Sequence, residues 1–318
     1  MQRGFTRVLA AAAVAALAAL AIAACGGAGA SGSSPSTQAL SYFPASSPLV
    51  MTIATDPHSQ AIKQTMALEH RFPAYTAAAT ALFAEMSRMG IDYNKDVRPL
   101  FGNPVALGAA GASGLSGNGA KHFLVAWVTK SASDLAQLIG KLHHIHSVGS
   151  HDGAKLYSNG SSIAAVDGPT VLVSGSVTDI DAALDRHAHG SGLTSADVAR
   201  ETTGLPSGGL ITVFGNLTGA LSSSQSATAR KVPWVAAIRG YGVSIAAAQS
   251  GLHLSYHIDT GGRSLSVSQL PIASGTTSPG LAGSMPIQAS LRDPGQTINF
   301  ILSAIQATNP AEYQKLIG

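Results

Sequence analysis

The sequence predicts an α+β fold, mostly antiparallel sheet with helices packed on one face. Three observations lead there. Apolar and polar residues alternate in short segments such as Thr212-Val-Phe-Gly-Asn and His253-Leu-Ser-Tyr-His-Ile, as in strands with one face in water. A strand followed by a helix with a Ser-x-x-Asp start occurs twice in the middle of the chain. Residues 238–249 and 251–260 have the pattern of a long hairpin turned near Ser250-Gly251, which forces antiparallel pairing.

The elements follow in order. Pro48 to Thr55 is a strand, and Asp56-Pro57 opens a helix with Asp as N-cap and Pro at the first helical position. After Pro73 a second helix places Tyr75, Ala79, Leu82, Phe83 and Met86 on one face, and Gly90 stands where a C-cap glycine belongs. Residues 104–110 and 122–129 are strands, separated by the glycine- and serine-rich loop Gly111–Gly119. The first repeated unit runs from strand Phe123–Val128 through Ser131–Asp134 to Leu135, Leu138, Ile139 and Leu142 at helical spacing. The second runs from Thr170–Val173 through Ser176–Asp179 to Ile180, Ala183, Leu184 and His187. Both Ser-x-x-Asp starts read as capping boxes with a shorter acid. With short strands near 154–158 and 161–166 between them, and another at 210–215, the order suggests split β-α-β-like repeated units. Strand, Asp-Pro and helix recur at 286–298, and the last helix spaces Ile298, Ile301, Leu302 and Ile305 at i, i+3, i+4 and i+7.

The first 24 residues have the three parts of an export signal. Arg3 and Arg7 give the basic end, Val8–Ala21 is an uncharged apolar run, and Ile22-Ala23-Ala24-Cys25 closes it. The run is shorter than the roughly 20 residues of a spanning helix. The aliphatic-Ala-Ala-Cys ending resembles the bacterial lipobox. That resemblance implies cleavage before Cys25 and a lipid on its thiol. Residues 25–39 then form the lipidated cysteine and a flexible linker with a span of roughly 20 Å. Residues 40–270 form an α+β body, and 271–318 a C-terminal strand-helix unit.

Cys25 is the sole cysteine in 318 residues, so no internal disulfide or thiolate metal site is expected. The formal charge of +3 includes Arg3 and Arg7; without them 17 basic residues face 16 acidic ones. The pI near 9.0 is therefore no sign of nucleic acid, and no Lys/Arg cluster of the phosphate-binding kind is present. Charged residues make up 11%, against a usual ~25%, so Ser, Thr, Asn, Gln and Gly must supply much of the surface.

This organisation resembles uncharacterised actinobacterial lipoproteins that share a domain of unknown function. The matching residues are Tyr42-Phe43-Pro44-Ala45, Thr55-Asp56-Pro57, Arg71-Phe72-Pro73 and Leu205-Pro206, and the likeness covers most of residues 40–260. It implies an extracytoplasmic lipoprotein and brings no catalytic residues with it.

Histidine offers the sharpest chemistry. His143, His144, His146, His151 and Asp152 lie within ten residues, with His187 and His189 later. Imidazoles suit zinc, copper or nickel, but the spacing lacks His-Glu-x-x-His, and solvated histidines near a helix C-terminus explain it as well. The 111–119 loop matches no nucleophile elbow or phosphate loop. Asp56 and Asp293, each before proline, read as caps. Trp127 reads as core and Trp234 as open to a groove. Met51, Met66, Met86 and Met89 read as core packing.

No catalytic, cofactor or metal residue is assigned; the one site expected is lipidation at Cys25. The expected protein sits on the outer face of the plasma membrane, held by that lipid. It is non-enzymatic and binds an apolar ligand, a wall component or another envelope protein. Two rival classes remain: an envelope enzyme built from scattered residues such as His151, Asp152 and the 111–119 loop, and a solute-binding lipoprotein of a transporter. The last predicts two lobes with parallel sheets.

Overall fold

The computed structural model describes residues 34–68, 73–110, 122–143, 145–222, 226–248, 251–272 and 293–317. The signal, Cys25, most of the linker, Arg71-Phe72, the 111–119 loop, His144, the hairpin turn and the strand expected at 286–292 lie outside them. Two compact units emerge: Met1–Asn216 with Tyr241–His257, and Leu217–Gly240 with Ile258–Gly318. The second unit thus includes 217–240, which the sequence pattern assigned to the main body.

In the first unit, helix α1 (Pro35–Leu40) precedes strand β1 (Val50–Ile53) and helices α2 (Gln60–Leu68) and α3 (Pro73–Arg88). Strands β2 (Val105–Ala109) and β3 (Phe123–Val128) follow, then α4 (Ala132–Lys141). A meander of β4 (His146–His151), β5 (Ala154–Ser158), β6 (Ile163–Asp167) and β7 (Thr170–Ser174) leads to α5 (Val177–Ala188), α6 (Ser195–Glu201) and β8 (Ile211–Asn216). After α7 (Thr218–Ser222) and α8 (Pro233–Ala237) comes the hairpin of β9 (Gly240–Ala248) and β10 (Gly251–Asp259). The last helices are α9 (Pro294–Thr308) and α10 (Pro310–Ile317).

All ten strands join one sheet in the order β10-β9-β8-β1-β2-β3-β7-β6-β5-β4. The pairings among β1 to β8 are antiparallel, so the α+β antiparallel class stands. The repeated strand-helix segments form split β-α-β units: β3 and β4, joined by α4, run parallel with β7, β6 and β5 between them, and β7 and β8, joined through α5 and α6, run parallel with β3, β2 and β1 between them. One detail differs from expectation. Helices cover both faces rather than one. Val50, Ala106, Leu124, Ala126, Leu172 and Phe214 pack with residues of α1 and α5 on one side. Ile53, Val105, Leu107, Val125 and Trp127 pack with α3 and α4 on the other. The central strands are apolar at successive positions, which is how a sheet buried on both faces reads.

Several local readings need revision. Ser34 caps α1 with Pro35 in its first turn, and Ala39 and Leu40 are buried, so the end of the expected linker is helical. Asp56 accepts from the His58 amide in a turn, while Ser59 accepts from Ile62; Ser59 takes the capping role and α2 starts later than Asp56-Pro57 suggests. Ser131 caps α4 through the Asp134 amide, but Ser176 makes no such bond; its own amide donates to Ser174 Oγ, and the Asp179 carboxylate meets His122 at 3.0 Å. Thr194 and Asp197 form the complete capping box instead. Met66 and Met89 are exposed, not core. Gly90 has φ +76° and Ile91 donates back to the Met86 carbonyl, closing α3 as expected.

The segment just after the linker is bolted to α5. Tyr42 and Phe43 are fully buried. Arg186 donates from Nε and Nη2 to the Tyr42 carbonyl at 3.0 and 2.9 Å. His187 stacks on the Tyr42 ring with centroids 4.3 Å apart. Burial, reinforced by the Asp167 charge, pushes the Tyr42 phenol up to about 12.

Candidate functional site

The densest group of titratable side chains lies where β4 meets α5. The tight turn after β4 holds Asp152 at φ +46°, while the helical spacing of Asp181 and Asp185 puts both on one face. His151 Nε2 donates to Asp185 Oδ1 at 2.8 Å. Asp152 Oδ2 lies 3.8 Å from the same nitrogen, and Asp181 Oδ1 lies 3.6 Å from Nδ1. One ligand atom each from His151, Asp152 and Asp185 fall within 4.8 Å of one another, a set that a divalent cation could share.

Electrostatics favour a proton there. The hydrogen bond to Asp185 and the nearby carboxylates raise the His151 pKa above its ordinary 6.5. The same bond lowers the Asp185 pKa below 3.8. The imidazolium is thus the cation that this cluster already balances. Its stabilising contribution is full below pH 6.5 on the His151 side and fades as pH rises through the raised value. On the Asp185 side it is present above pH 3.8 and fades as pH falls through the lowered value. We expect the His151 ring to titrate above 6.5 by NMR, and Asp185→Asn to bring it back toward 6.5. An unchanged midpoint in that variant would exclude the pair.

Among the described residues no other histidine joins this group. His146 lies at the far end of β4, His187 bonds Ser41 Oγ at 2.6 Å, and His189 donates to the Asp185 carbonyl at 2.7 Å. Trp127 is core, packed 5.1 Å from Phe101. Trp234, in the second unit, meets the edge of Phe300 at 6.0 Å. A shallow hollow of about 640 Å³ lies beside the end of α3, lined by Phe83, Ser87 and Gly90 to Asn94.

The second candidate is a surface. β10 closes one end of the sheet, and Leu252, Leu254 and Tyr256 are 54%, 65% and 59% exposed. Their spacing of two puts them on one face of the strand. No charged residue occurs from Gly251 to Ile258. The opposite end strand, β4, has a bulge between Ser147 and Gly149, a device that disfavours edge pairing. The sequence pattern showed β10 as a strand; that its apolar positions stay in water depends on its place at the sheet's end.

Over residues 8–316 the sequence matches the family described as "Protein of unknown function (DUF3352)". The chain belongs to that family. No curated protein matches it. Solved structures similar to this DUF3352 chain include crystal form III of TP0453, with a TM-score of 0.39 and 9% identity over 71% of this chain and 81% of that one. Crystal form I of TP0453 gives 0.38 and 10% over 72% and 81%.

Proposed function

We propose that this DUF3352 protein is a lipoprotein of the cell envelope, held at the outer face of the plasma membrane by a lipid on Cys25. In this reading its body binds a partner protein through β10, the terminal strand of its sheet. The observation that carries the binding role is the exposed apolar row Leu252, Leu254 and Tyr256 on the terminal strand β10. An edge strand with no charge from Gly251 to Ile258 offers main-chain hydrogen bonds for affinity and alternate side chains for specificity. The Ile22-Ala-Ala-Cys25 ending supports the location. The antiparallel sheet counts against a solute receptor with two parallel lobes.

A photocrosslinking residue in place of Leu254 tests it in intact membranes. A discrete crosslinked species is expected there, and none with the same residue at Val148 on β4. Equal crosslinking at both edges, or none at either, would sink the proposal.

A further inference from the structure

We infer that the second unit docks on anionic lipid through the outer face of α9. The inference rests on the proposed attachment at Cys25 only for bringing a membrane within reach; the face itself is read from the structure.

The inner side of α9 is fixed by its contacts. Phe300 meets Trp234, Gln296 donates to the Val267 and Leu270 carbonyls, and Thr297 donates to Pro271. At 3.6 residues per turn, Ile298, Ile301, Leu302 and Ile305 then fall on the other side. Ile298 and Ile301 are 56% and 49% exposed, Leu302 and Ile305 are half-buried, and α9 has no buried residue. Two positions of an apolar stripe that would normally seal a helix to a core here lie open to solvent. The helix carries no charged residue from Pro294 to Thr308.

The occupant is indicated by charge. The second unit holds six Lys/Arg against three Asp/Glu, whereas the first holds eleven against thirteen from Cys25 onward. Two of those cations, Arg230 and Lys231, are exposed on the turn Ala229–Lys231, which packs against α9. An apolar helical stripe flanked by cations is the make-up of an element lying in the interface of an anionic bilayer. Fifteen residues of helix measure about 22 Å, short of the ~30 Å hydrocarbon layer. Among the described residues no helix is long and apolar enough to cross a membrane. Cys25 stands nine residues before Ser34, the first described residue, a reach of at most about 30 Å.

The test uses the full chain carrying Cys25→Ser, so that the only thiol is an introduced one and no lipid anchor contributes. With Ile298→Cys labelled by an environment-sensitive fluorophore, vesicles of equal phosphatidylglycerol and phosphatidylcholine should shift the emission to the blue. Phosphatidylcholine alone should shift it less, and Arg230→Gln with Lys231→Gln should remove the difference. A label at Lys63→Cys, an exposed position of α2 in the first unit, should not respond. The inference is overturned by no shift at 298 or by an equal shift at 63. It is also overturned by an emission already blue in buffer and unchanged by vesicles, which would mean that another stretch of this chain or a second copy covers the face. N-terminal mass measurement of the wild-type protein reads lipidation separately, so either idea can fail without the other.

Discussion

Replacing Phe43 with alanine is expected to lower the stability of the first unit by about 3–5 kcal/mol, with a fall in Tm on the order of 10 °C. The ring is fully buried in the cluster beneath α1 and α5. That cluster also holds Leu40, Leu184 and Leu193, and the Phe43 carbonyl accepts from the Leu193 amide at 2.8 Å. The pocket is held by main chain on both sides, so it cannot collapse to fill the void. Gly192 pairs with Pro44, and a Cβ built on Gly192 would stand on the Ser41 carbonyl. Chemical denaturation followed by circular dichroism measures the change. A loss below about 1 kcal/mol would mean that this segment is only lightly attached.

The strands were legible because their alternation is local. β5 falls where the pattern placed it, β1, β2, β3 and the hairpin lie within the predicted spans, and β8 is displaced by one residue. What covers each strand was not legible. Val125 and Leu124 are both apolar, and the sequence does not say that one meets α4 and the other α5. The same limit hid the outward face of α9: Ile298, Ile301, Leu302 and Ile305 share a side whether that side meets protein, lipid or water. α1 was missed because its Ser, Pro and Thr content looks like linker, although Ser34-Pro35 is itself a helix start. His151 was singled out early, but its partners Asp181 and Asp185 lie thirty residues or more away. Their meeting follows from the meander that sets β4 beside α5, and no spacing rule encodes that. The Asp179 carboxylate is similar: the local pattern offered it to the Ser176 amide, and it bonds His122 instead.

Changing Cys25 to serine should move the protein from the membrane to the soluble fraction and leave the folded units unaltered. Each acyl CH₂ buried in a bilayer contributes about 0.8 kcal/mol, so the two chains of a diacylglyceryl group dominate any attachment. Ile298 and Ile301 can add only about 1.5–3 kcal/mol each, even if wholly buried. That is too weak to retain the protein through dilution and washing, yet enough to register against concentrated vesicles. Stability should not change, because among the described residues the hydrogen bonds of the body start at Ser34, which accepts from the Thr37 amide, and its buried apolar cluster at Ala39 and Leu40. The measurement is fractionation of cells expressing each form, with Tm of the released protein compared to that of detergent-extracted wild type. Release with an unchanged Tm separates the anchor from the fold. A serine variant that stays in the membrane fraction after washing would show that residues 1–24 hold the chain there themselves, and the lipobox reading would fall.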